Sequence, residues 1–135
     1  SMIRADFIYD DKDAAIDSFR LIPPQPCRND YLLEHIASNS FKETEQGWIL
    51  KSDGKIMKTY KSKDLTDILM SIKCPINIVY GLMSQIFTQE ILDYTLYVGN
   101  IPNERVIGVP GTMHHLFVDD PLSVISAIKK LIGEN

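Results

Sequence analysis

The chain is 135 residues long, 44% hydrophobic and 24% charged, enough for one domain that buries a usable core. Fourteen basic residues against eighteen acidic ones give a net charge of -4, which leaves no electrostatic footprint for nucleic acid. No apolar run is long enough to cross a bilayer and no signal-peptide pattern is present, so a cytoplasmic protein is expected.

Ser1-Met2 reads as a protease-cleavage scar ahead of a start residue. Asp10-Asp11-Lys12-Asp13 can cap a helix that carries Ala14, Ala15, Ile16, Phe19 and Leu21 and ends before Pro23-Pro24. The Pro23-Pro24-Gln25-Pro26 run is too stiff to continue it. Asn29 or Asp30 can cap a second helix with Tyr31, Leu32, Leu33, Ile36 and Ala37. After Ser40 the period shifts towards two: Phe41-Lys42-Glu43-Thr44, a Gln46-Gly47 turn, then Trp48-Ile49-Leu50-Lys51, closed by Asp53-Gly54.

From Lys63 the pattern is α-β-α-β-α. Leu65, Ile68, Leu69 and Ile72 fall at helical spacing. Pro75-Ile76-Asn77-Ile78-Val79-Tyr80-Gly81 is a short apolar, branched run of the kind that makes a buried parallel strand. A helix over 88–98 follows, with Thr88 as its cap, then a second strand over 105–109 and a closing helix over 121–132. In that last helix Val124, Ile125, Ile128, Leu131 and Ile132 form one apolar stripe, and Lys129 and Lys130 suit its C-terminal end. No internal repeat or low-complexity tract occurs. Two parallel strands alone make a poor sheet, so the pattern suggests part of something larger.

Cys27 and Cys74 each stand beside a proline, with no CxxC and no Cys/His pair at ligand spacing. No zinc site is expected, and the pair reads as buried thiols of a reducing compartment. His35 reads as a surface or partly packed histidine of its helix, and Met57, Met70 and Met83 as core filling. Lys51, Lys55, Lys58, Lys61 and Lys63 read as a solvated surface run. Trp48, after a turn glycine, reads first as a packing anchor.

The stretch that points to chemistry is Val109-Pro110-Gly111-Thr112-Met113-His114-His115-Leu116-Phe117-Val118-Asp119-Asp120-Pro121. A histidine just past a strand end, after a tight turn and before a helix, sits on a loop held by rigid elements, where catalytic side chains concentrate. Together with the 75–81 strand and the helix that follows it, this stretch resembles the C-terminal half of an α/β-hydrolase. There the last two strands read P-[apolar]-G-x-x-D and [apolar]-P-G-x-G-H-x-x-x-x-[DE]-x-P.

The resemblance implies a fold and a division of the chain. Residues 63–135 would be a partial α/β-hydrolase core, parallel strands with flanking helices. Residues 1–62 would be the end of a cap, a mostly helical segment with a hairpin, inserted ahead of that core. His114 matches the base that takes the nucleophile's proton and returns it to the leaving group, with His115 as the alternative one place along. Asp119 matches an acidic position of the family, though capping the final helix is its expected task, with Pro121 at the first helical position.

Two departures stand out. The acid position after the first strand is occupied by Ser84, in Gly81-Leu82-Met83-Ser84, and a hydroxyl cannot stabilise an imidazolium as a carboxylate does. Either the acid comes from another strand end, as in some members of the family, or the triad is incomplete; Asp53, Asp64 and Asp67 are weaker substitutes because none follows a core strand at the sheet's C-terminal edge. No G-x-S-x-G nucleophile elbow occurs, and Ser84 lacks the glycine that would make it one. The resemblance therefore implies the base-bearing portion of a hydrolase of small ester-, thioester- or epoxide-like substrates, inactive alone. Trp48, Leu82 and Met83 are candidates for its substrate pocket. No metal or organic cofactor is implied. The partners implied are the small-molecule substrate and, through the open sheet edge, an N-terminal half or a second copy. The alternative is a non-catalytic α/β-hydrolase-like module for binding or oligomerisation.

Overall fold

Asp11 opens the first helix of the protein, seen here in a computed structural model that describes residues 7–52 and 64–133. The expectations for Asp53-Gly54, Met57, Lys55, Lys58, Lys61 and Lys63 lie outside the described residues. The chain divides into two compact units, Ser1–Ser62 and Lys63–Asn135.

In the first unit, the Asp11 carboxylate accepts from the Ala14 backbone N–H at 2.8 Å and starts helix α1, Lys12–Asp17. The helix is shorter than its apolar spacing suggests, so Phe19 and Leu21 lie beyond its end. Helix α2, Asp30–Ser40, follows with Asn29 at its N-cap, and passes directly into a hairpin of β2, Phe41–Thr44, and β3, Gly47–Leu50. A short strand, β1 (Ile8–Tyr9), pairs antiparallel with β3 and makes the sheet three-stranded, in the order β1-β3-β2. Two residues carry too little periodicity to be read as a strand; only the hydrogen bonds to β3 define it. This unit therefore holds two helices and the expected hairpin, with β1 as a strand the sequence pattern did not announce. Phe41 is buried at its centre, with Tyr9 and Phe19 edge-on to its ring at 5.8 and 6.5 Å.

The second unit begins with α3, Thr66–Ser71. It continues through β4 (Ile78–Gly81), α4 (Gln89–Gly99), a 3-10 turn (Asn103–Arg105) and β5 (Val106–Val109). It ends in α5 (Leu116–Asp119) and α6 (Pro121–Ile132). Both strands are shorter than their apolar runs. The Thr88 hydroxyl caps α4, and Asn100 closes it in the left-handed region. β4 and β5 pair in parallel, Ile78 opposite Val106 and Gly81 opposite Val109. Val109, Val124 and Ala127 form the buried centre between β5 and α6, with Val79, Ile107 and Leu116 packed round it. Each valine so buried contributes roughly 1.5–3 kcal/mol.

Several burial expectations are corrected here. A two-stranded sheet is too narrow to cover the whole stripe of α6. Val124 is buried and Leu131 half-buried, whereas Ile125, Ile128 and Ile132, one step further round the helix, are exposed. Met70 and Met83 are exposed rather than core residues, Met70 on α3 and Met83 in the turn after β4. Cys74 is exposed and Cys27 half-buried, so neither is the buried thiol expected. No helix among the described residues is long and apolar enough to cross a membrane.

Candidate active site

Because β4 and β5 are parallel and in level register, their chains leave the sheet side by side at its C-terminal edge. The two exits are stitched together. The Leu82 N–H donates to the Val109 carbonyl at 3.2 Å, and the Met83 N–H to the Thr112 carbonyl at 2.9 Å. Gly81 lets them approach this closely. A Cβ there would penetrate the Met113 carbonyl oxygen and stand 2.7 Å from that of Thr112.

On the first exit, the Ser84 N–H turns back to the Gly81 carbonyl at 3.0 Å. The Ser84 hydroxyl oxygen accepts from the Phe87 N–H at 3.1 Å and lies 3.2 Å from His114 Nδ1. Phe87 is in turn anchored edge-on to Tyr80 of β4, at 5.5 Å. On the second exit, the buried Thr112 hydroxyl donates to the Val109 carbonyl at 2.9 Å. The Met113 N–H donates to the Asp119 carboxylate at 2.7 Å. His114 and His115 are both half-buried, their rings edge-to-face at 5.3 Å, and His115 meets Phe117 at 6.3 Å.

This arrangement has a defined chemical capacity. With Nδ1–H donating to Ser84, the His114 ring presents Nε2 with a free lone pair, the form a general base requires. Ser84 meets the nitrogen that a triad assigns to its acid rather than to its nucleophile. A hydroxyl there orients the ring without lending it negative charge.

Asp119 is a correction. It does not cap the last helix; Asp120 does, accepting from the Ser123 N–H at 3.0 Å and from the Ser123 hydroxyl at 2.6 Å. Asp119 is 8% exposed and turned back into the histidine loop. Two adjacent aspartates precede the proline, and the sequence reading gives the cap to the first of them. The spacing that resolves it is three residues from Asp120 to Ser123, against six from Asp119 back to Met113. The Phe87–Ser84 bond was also missed, although a serine three residues ahead of a backbone donor is a readable turn signal.

Leu82 and Met83 stand exposed beside Ser84. Trp48 belongs to the first unit, half-buried on β3, with the Lys12 ammonium 5.5 Å from its ring centre. Asp64 and Asp67 are exposed, away from the histidine loop in sequence and at the start of α3. The Thr66 hydroxyl and backbone N–H bonded to Asp64 hold its carboxyl below the ordinary value of 3.8. A cavity of about 530 Å³ touches neither histidine; it lies at the other end of the strands, between Lys73, Cys74, Asn100 and Arg105. Among the described residues, no group of three or more His, Cys, Asp or Glu side chains is arranged to hold a metal.

No family model matches the chain, and no curated protein matches it in sequence. Among solved structures, it is similar to the crystal structure of E-2-(acetamidomethylene)succinate hydrolase, with a TM-score of 0.73 and 18% identity. The match covers 96% of this chain and 48% of that one, so the chain spans about half the length of the hydrolase it resembles. At that identity the likeness shows the fold alone, a mixed α/β chain of helices and small sheets.

Proposed function

We propose that the chain supplies the base-bearing portion of an α/β-fold hydrolase, with His114 as the general base. The observation that carries this reading is the Ser84–His114 contact at 3.2 Å, which engages Nδ1 and leaves Nε2 to work. Under it, the Ser or Asp nucleophile and its oxyanion hole come from a complementary segment that also extends the two-stranded sheet. The substrate is a small ester-, thioester- or epoxide-like molecule, reached past Leu82 and Met83. Residues 1–62 act as the end of a cap, and His115 is the alternative base.

A second reading has its own support. Ser84 is uncharged where a working triad keeps a carboxylate, which favours a binding or oligomerisation module descended from an enzyme.

The test is turnover of p-nitrophenyl esters, first by these 135 residues and then by the chain joined to any coding sequence upstream of it. The expected result is no turnover above a His114→Ala control for the 135 residues, and His114-dependent turnover once a strand–G-x-S-x-G–helix segment is attached. His114-dependent hydrolysis by the 135 residues alone refutes the need for a complement. A coding sequence with no such elbow, or its aspartate variant, refutes the enzyme and favours the module. Ser84→Asp separates the readings further: in a complete enzyme, a carboxylate at Nδ1 raises kcat by about tenfold or more.

A further inference from the structure

The least explained charge in the second unit is Asp119. Placing a carboxylate at 8% exposure is costly unless donors compensate for lost water, and Asp120 already performs the capping task that would justify an aspartate here. Instead, the Asp119 side chain reaches back six residues to the Met113 N–H at 2.7 Å, the short range of a charge-assisted hydrogen bond.

We propose that Asp119 is a positioning residue for His114. Its bond to Met113 closes a ring of seven residues, Met113 to Asp119, that contains both histidines. The peptide units around Met113 are then held on both sides. Thr112 accepts from Met83, and the Met113 carbonyl lies against Gly81, while the Met113 N–H is held by Asp119. His114 therefore leaves a fixed backbone with only its two side-chain torsions to set, and the 3.2 Å contact with Ser84 sets them. Release of Met113 frees the backbone next to His114, and the imidazole loses its alignment with Ser84 although no group touching the ring has changed. Asparagine retains an acceptor of the same length and keeps the ring in place; alanine does not. For its catalytic consequence this rests on the reading of His114 as the base, but the alignment itself does not.

The experiment is imidazole nitrogen NMR of His114, with hydrogen exchange at the Met113 amide, on the whole chain and its Asp119→Ala and Asp119→Asn variants. In the unaltered chain the neutral ring is held in one tautomer and the Met113 amide is protected. Asp119→Ala is expected to mix the tautomers and to speed Met113 exchange by roughly ten- to a hundredfold, the range opened by losing a charge-assisted hydrogen bond. Asp119→Asn is expected to restore the single tautomer, which a role confined to overall stability would not predict. A folded Asp119→Ala chain with one tautomer and unchanged Met113 exchange overturns the proposal, as does an Asn variant as loose as the alanine one. Should the alanine variant not fold, an unprotected Met113 amide in the unaltered chain overturns it equally. Failure of ester hydrolysis by the chain joined to a strand–G-x-S-x-G–helix segment, with His114 still held by Asp119, would defeat the hydrolase reading and leave the positioning role intact.

Discussion

Replacing Gly81 with alanine puts a methyl group where the structure has no room. The new Cβ would penetrate the Met113 carbonyl oxygen, lie 2.7 Å from the Thr112 oxygen and 2.9 Å from the Met113 carbonyl carbon. All three are backbone atoms, so no rotamer change relieves the contact, and the histidine loop must retreat by roughly an ångström to restore van der Waals distance. Retreat breaks the bonds from Leu82 to Val109 and from Met83 to Thr112, each worth about 1 kcal/mol net. With overpacking strain of roughly 1–3 kcal/mol added, the expected loss is about 3–5 kcal/mol. Gly108→Ala is the control. Its Cβ would meet the Leu82 side-chain end and the Tyr80 ring, which can turn aside, so about 1 kcal/mol is expected. The assay is urea unfolding followed by hydrogen exchange at the Leu82 and Met83 amides, which reports on the second unit directly. A Gly81→Ala chain that loses less than about 1 kcal/mol, a loss ordinary for any substitution, and keeps the Ser84–His114 contact would refute the account of how the two loops are held.

Three further outcomes follow from the same geometry. Asp120→Ala removes the cap of α6 and is expected to cost about 1 kcal/mol, read as a lower urea midpoint, with His114 undisturbed. Phe41→Ala removes the buried ring against which Tyr9 and Phe19 pack, and is expected to cost about 3–5 kcal/mol in the first unit. Trp48 fluorescence reports it, since that is the chain's one tryptophan and lies on β3. Asp64 titrates below its ordinary 3.8 because Thr66 stabilises the charged form, so its contribution to stability is present above that value and lost as pH falls through the lower folded one. Acid unfolding followed by circular dichroism should show this small dependence in the unaltered chain and a weaker one in Thr66→Val, which keeps only the backbone bond to Asp64; an identical acid limb in both chains would count against it.

Local features were legible in the residues. The hairpin from Phe41, the cap at Thr88, the two apolar strands and the closing helix that starts at Pro121 all follow from signals a few residues wide. Such signals carry turns, caps and periodicity because the forces behind them act between near neighbours. They do not carry burial, which depends on what lies across the interface. Hence Met70, Met83 and three of the five residues of the α6 stripe are exposed although their pattern is apolar. Nor do they carry a two-residue strand such as β1, which exists only as pairing with β3.

The site divides along the same line. His114 stood out from the turn before it and the helix after it, and Ser84 from its position after a strand glycine. What sets them 3.2 Å apart is the parallel register of β4 and β5, which brings together residues 30 apart in the chain. The difference between Asp119 and Asp120 is likewise tertiary. Neighbours of identical chemistry point opposite ways, one capping the helix and one bracing the loop, because α5 ends between them and the chain turns there. Sequence alone determined the longer strands and helices, though not β1 or α5, and which imidazoles could serve as base; only strand register and the turn after α5 decided which groups hold His114 in place, because those contacts are made between segments that carry no local signal of each other.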